Sequence, residues 1–270
     1  MIRITSLAMF GAIIGCTAVV HHPFTSSCNI SDAHQNMEMK SPLREVAAHD
    51  TIAIPTQDIR CQQGMTFVSG KWCTSVKQVC AEWMDPDAAA ARRCKRFLPS
   101  ECVGNQVHKE FCIETTEHVE PNETLPTVYV DTYQAKNMCM AQGKRLCKES
   151  EWIFACEGEE MNPYATGLER PDGLCNIDIV KGLGKVGHLT DHRMPVNTMP
   201  GCQNKLGIEA MNGNVDEITV RDVSQGKYSI ALHSGWWGPI RARCRPSTVA
   251  HSEIYSDAQL GFRCCEDANF

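Results

Sequence analysis

The placement of sixteen cysteines in 270 residues constrains this chain more than any other feature. Fifteen of them follow Cys16, and no two are spaced Cys-x-x-Cys, so neither a zinc knuckle nor a thioredoxin-like redox pair is indicated. No His-Glu-x-x-His motif occurs either. In an oxidising compartment the default use of such cysteines is disulfide bonding. Spacing does not reveal the pairing order. If Cys16 is used otherwise, an odd number remains, and at least one thiol is expected to be free, metal-bound or paired between chains. Cys264 and Cys265 are adjacent, so a bridge between them would be strained and separate partners are expected.

The N-terminus supports export. Arg3 supplies a positive charge, and Leu7 to Ile14 form an apolar run too short for a bilayer, which needs about 20 residues. The run ends in Ile13-Ile14-Gly15-Cys16, which resembles a bacterial lipobox whose cysteine is acylated. The alternative is an ordinary cleaved signal with Cys16 incidental. Three segments are expected: 1–16 as a signal with a lipobox-like end, 17–58 as a polar tether, and 59–270 as the folded domain. The expected location is the bacterial cell envelope, lipid-anchored, on a periplasmic or an outer-membrane, extracellular face. The membrane is a partner only through that anchor. A net charge of -6 with no basic stripe argues against nucleic acid.

Within the domain, residues 64–70 alternate between glycines and predict a short strand, and Phe111–Glu114 predicts another. Asp85-Pro86-Asp87 can start a short helix through Ala88–Ala91. Asp131 can cap a helix reaching Gln142, with Gly143 suited to the left-handed position after it. Lys144–Cys147 reads as a connector. A second helix is predicted over Glu149–Cys156, acidic in its first turn and followed by Gly158. Trp152, Ala155 and Cys156 would form its one buried face.

The segment GKRLCKESEWIFACEG, residues 143–158, resembles the Gly-Lys-Arg-Leu-Pro-Thr-Glu-x-Glu-Trp-Glu-x-Ala-x-x-Gly motif of the formylglycine-generating enzyme, or sulfatase-modifying factor, family. Further segments agree in order: Tyr164-x-x-Gly167, Leu174–Ile177, Asn204–Ile208, Met211–Glu217 and the closing Gly261-Phe262-Arg263. The resemblance covers about residues 61–267. It implies an α+β fold, a single C-type-lectin-like domain rich in irregular structure and disulfides.

Oxidases of that family convert a protein cysteine to formylglycine with copper and oxygen, and two thiolates suit copper(I). The resemblance places their cysteine pair in residues 233–244, where this chain has only Cys244, at the position of a later, non-catalytic cysteine. Trp236 replaces the family's serine, and Asp216 stands where the family usually has tryptophan. No catalytic residue is therefore assigned, and copper is not expected. The leading expectation is a non-catalytic binding or structural module whose partner is an exported protein or a small ligand. The alternative is a copper-dependent oxidase with a rearranged site.

The resemblance also implies calcium. Gly213 and Val215 would supply carbonyls and Glu217 a side chain, while Asn176 and Ile177 match a second calcium segment. Ala210 lacks a ligand that the family has there. The competing reading is a hydrogen-bonded Asn214 turn without an ion. Trp236, Trp237, Arg241 and Arg243 form a possible ligand surface, because guanidinium forks suit anions. Against it stand ion pairing of Arg241, Arg243, Arg245 and Arg263 with the acidic residues, and core packing of at least one tryptophan. His233 and His251 flank the segment without a third metal ligand at a defined spacing.

Overall fold

The computed structural model describes residues 60–85, 87, 92–185, 188–223, 226–240 and 242–269. The signal and tether segments, Cys16, Arg241 and most of the expected helix at 85–91 lie outside them. The described residues fall in one compact unit, Ala53–Phe270.

Strands and helices follow in this order: β1 Met65–Cys73, β2 Val76–Lys77, β3 Cys80–Trp83, β4 Cys94–Phe97, β5 Glu101–Cys102, β6 Gln106–Glu114, α1 Thr132–Ala141, β7 Arg145–Leu146, α2 Glu149–Glu157, β8 Gly184–Lys185, β9 His188–Leu189, β10 Asp216–Val220, β11 Ile230–His233, β12 Leu260–Phe262 and β13 Cys264–Glu266. One antiparallel sheet has the order β1-β6-β13-β7. A second has the order β11-β10-β12, with β10 and β12 parallel. The remaining strands form the two-stranded pairs β2-β5, β3-β4 and β8-β9.

Both strands predicted near the start exist but are longer, nine residues each, and they pair with each other from Met65↔Glu114 to Cys73↔Gln106. The first half of β6 lacks an alternating apolar pattern because it is largely exposed and held by its ladder to β1. Arg145–Leu146, expected as a connector, is drawn into the first sheet by β13. A two-residue strand has no periodicity from which to predict it.

Helix α1 begins as expected. Asp131 Oδ1 accepts the Gln134 N–H at 2.9 Å, and Gln134 returns a side-chain oxygen to the Asp131 N–H at 2.9 Å. Gly143, at φ 72°, follows the C-terminal turn. Helix α2 corrects the one-face expectation: Ser150 to Glu157 are all buried. Val68, Phe111, Ile113, Ile208 and Met211 surround it in one core cluster. A helix buried on every side cannot be amphipathic. Its polar residues are therefore paired: Glu151 accepts the Arg145 guanidinium at 2.7 Å, and Ser150 donates to Asp222 at 2.6 Å.

Seven disulfides take all fourteen cysteines of the described residues: 61–112, 73–102, 80–94, 139–264, 147–265, 156–244 and 175–202. The adjacent cysteines diverge as expected, Cys264 to α1 and Cys265 to the residue after β7. No helix among the described residues is long and apolar enough to cross a membrane.

Candidate functional site

Five non-glycine residues with left-handed backbone lie in three interlocked loops: Asp178 at φ 60°, Ala210 at 56°, Asn214 at 60°, Ser234 at 73° and Ala242 at 33°. Such conformations cost of order 1–3 kcal/mol each and gather where a fold holds a particular backbone shape for use. The loops lock through Gly213, whose missing Cβ would lie 2.4 Å from the Asn176 carbonyl oxygen. Asn214 donates its N–H to that oxygen at 2.9 Å, and Asn176 Nδ2 donates to Asn214 Oδ1 at 2.9 Å. Asn214 Oδ1 also accepts from Met194 N. Ser234 Oγ accepts from Gly213 N at 3.0 Å and donates to Gly213 O at 2.9 Å. Asn214 thus sits in a hydrogen-bonded turn.

Beneath these loops lies a buried ionic centre. Arg263 reaches Glu217 with Nε at 2.7 Å and Nη2 at 2.8 Å, and donates as well to the carbonyls of Glu114 and Glu209, both at 3.0 Å. Trp152 Nε1 donates to Glu217 Oε2 at 2.6 Å. The acid expected to bind calcium therefore already faces a cation. The structure does bring Asn176, Ile177, Gly213 and Val215 together, but it gives the neutralising role at Glu217 to Arg263.

Sequence reasoning missed the neighbouring Glu117. Its side chain is buried, and neither carboxylate oxygen has a hydrogen-bond partner. Burial, reinforced by the charge on Glu217, pushes its pKa up to about 8 despite Arg263. The Asn214 carboxamide comes near without closing a hydrogen bond. Glu117 is thus a buried carboxyl without a hydrogen-bond partner, whereas Glu217 is held by Arg263 and Trp152. Three residues on from Glu114, Glu117 carries no sequence signal of its own.

The C-terminal segment is largely interior. Cys244 is fully buried and bonded to Cys156 of α2. Trp237 is buried and Trp236 half-exposed, with their rings edge-on at 5.7 Å. His233 is buried, stacks on Trp152 at 4.9 Å and lies 3.4 Å from Glu149. His251 stacks on Tyr255. Of the grouped arginines, Arg245 holds Glu157 and Arg263 holds Glu217, as ion pairing predicts. Arg243 instead lies over the Phe97 ring at 5.3 Å. Arg170, unnoticed in the sequence, holds the segment from below by donating to the Ile240 carbonyl at 3.3 Å.

Residues 57–268 match the family described as the sulfatase-modifying factor enzyme 1-like domain. The chain is 26% identical to inactive C-alpha-formylglycine-generating enzyme 2 of Mus musculus, over 93% of this chain and 86% of that protein. It is 28% identical to the protein of the same name from Bos taurus, over 53% of this chain and 51% of that one. Among solved structures, CarF superposes with a TM-score of 0.51 at 16% identity, covering 76% of this chain and 98% of CarF. The likeness to CarF concerns the fold, which is α+β and C-type-lectin-like. With four-fifths of its length matched in motif order, the chain belongs to the sulfatase-modifying factor enzyme 1-like family.

Proposed function

We propose that this protein is a non-catalytic binding module, exported to an oxidising compartment and presenting its ligand surface on the loop that carries Trp236 and Arg243. One observation carries the reading: Cys244, the sole cysteine between residues 203 and 263, is buried and joined to Cys156. The segment that corresponds to the family's copper site thus offers no thiolate pair, and copper(I) needs soft sulfur ligands. The word "inactive" in the name of the mouse relative points the same way. The disulfide density supports export, and the Gly15-Cys16 junction supports a lipid anchor.

The test combines a thiol count with an activity assay. Mass spectrometry of the denatured, unreduced full chain should find no more than two free thiols, at Cys16 and Cys28. Copper(I) titration should show no tight equivalent, and a sulfatase-type cysteine peptide should yield no formylglycine. Stoichiometric copper together with formylglycine would establish the oxidase alternative and end this reading.

Calcium is the proposed structural ion of the loop junction. Carbonyls of Asn176, Ile177, Gly213 and Val215 would supply neutral oxygens and Glu117 the charge, with Glu217 already neutralised by Arg263. Because Glu117 is protonated at pH 7 without the ion, binding should release a proton. Calorimetry of metal-stripped protein in two buffers of different ionisation heat would measure that release. Absence of calcium binding heat would remove the ion.

A further inference from the structure

Arg243 has no carboxylate partner among the described residues. It is half-buried; burial pulls its pKa down, and the like charge of Arg170 adds to the pull. Beneath it the Phe97 ring packs edge-on to Tyr164 at 5.8 Å, and the Arg170 guanidinium lies 5.9 Å from the Tyr164 ring centre. Tyr164 is itself buried and donates its hydroxyl to the Cys94 carbonyl. Arg243 and Arg170 thus flank one aromatic pair.

Arg170 is incompletely satisfied. Its Nε and Nη2 hold Asp178 at 2.6 and 2.9 Å, and Nη2 also reaches Ile240 O, but the buried Nη1 has no partner. Asp178 is shared with Arg93 at 2.9 Å, and Arg93 takes Asp85 as well at 2.7 Å. Arg243 takes no part in this ion-pair network among the described residues. An unmatched, partly desolvated cation costs free energy that an anion at Arg243 would offset.

We propose that Arg243, backed by Arg170 and walled by Phe97 and Tyr164, is the receptor for a single carboxylate on an acidic ligand. A monoanion suffices for the one guanidinium that lacks a carboxylate partner among the described residues. The guanidinium fork also fits two coplanar carboxylate oxygens. The ligand is a carboxylate-bearing peptide or a small organic acid; they share this chemistry. The half-exposed Trp236, on the same loop, gives a nearby spectroscopic reporter. The inference rests on the binding-module reading and names its ligand class.

Tryptophan fluorescence of the full chain, titrated with acetyl-Glu-Glu-Glu-Glu-amide and separately with sodium succinate, tests the proposal. Sodium phosphate and sodium chloride at equal ionic strength serve as controls. Saturable binding of the peptide alone identifies a peptide ligand, and saturation by succinate as well identifies any small carboxylate; both support the receptor. Arg243→Gln should weaken binding tenfold or more while keeping the wild-type Tm, because it removes an unpaired charge. Arg243→Lys, which keeps the charge and loses the fork, should fall between. Equal affinity in Arg243→Gln, tighter binding of phosphate than of carboxylate, or no saturation by either acid would overturn the receptor. Such a failure leaves the thiol count and formylglycine assay untouched, so the binding-module reading stands or falls separately.

Discussion

Glu217 and Arg263, 46 residues apart, meet in a two-point ion pair with neither side chain exposed to solvent. The pair ties β10 to the residue between β12 and β13, linking the two larger sheets of the domain. Removing one partner of such a pair strands a buried charge, which costs about 3–5 kcal/mol. Arg263→Met should therefore lower stability by roughly that amount, or about 10 °C in Tm for a domain of this size. Denaturant unfolding followed by near-ultraviolet circular dichroism measures it. A loss below about 1 kcal/mol would contradict the assigned role.

Glu117 should make stability depend on pH. Its carboxyl titrates near 4.5 when unfolded and near 8 when folded. Between those values the unfolded chain has released a proton that the folded chain still holds, so stability falls as pH rises. The upper bound is roughly 5 kcal/mol across that window, from the free energy per pKa unit. In chelator-treated protein, Glu117→Gln should flatten the slope and be the more stable form at pH 8. A parallel pH profile for wild type and variant would show that Glu117 is not the group responsible.

Gly213 and Gly64 have similar φ values, 94° and 80°, but different surroundings. A Cβ at Gly213 would meet Asn176 O and Ile177 Cγ2 at 2.4 Å each, whereas one at Gly64 would meet nothing within 4 Å. Gly64→Ala should cost on the order of 1 kcal/mol through its backbone alone. Gly213→Ala should cost several times more, because a buried loop junction must open. Comparing midpoints in urea decides the matter; equal losses would mean that the loops do not interlock as described.

The Cys156–Cys244 bridge closes 88 residues and fixes the segment that carries Arg243 to α2. Replacing both cysteines with alanine should cost about 2–5 kcal/mol. Ligand titration of the variant below its Tm should also show weaker binding, since the loop carrying Arg243 loses its anchor. Full affinity in a destabilised variant would separate the bridge from the binding surface.

Much of the fold was legible in local sequence. Asp131 with Gln134 and Gly143 marked α1, because capping and left-handed exit are local chemistry. Gly158 marked the end of α2 in the same way. The motif order from Gly143 to Arg263 indicated the family, and Cys244 standing alone indicated the missing thiolate pair. Other features had no local signal. β7 exists only because β13 reaches it, and the all-round burial of α2 depends on strands from both halves of the chain.

The candidate site divides along the same line. By itself the sequence determined which side chains are available: one cysteine in the critical segment, alanine at 210, aspartate at 216 and a run of arginines. Tertiary structure alone decided which charges meet. It paired Arg245 with Glu157 and Arg263 with Glu217, left Arg243 without an acid among the described residues, and buried the Glu117 carboxyl with no hydrogen-bond partner. The physical reason is that propensity and capping act over a few residues, whereas desolvation and ion pairing depend on distances that only the closed chain sets.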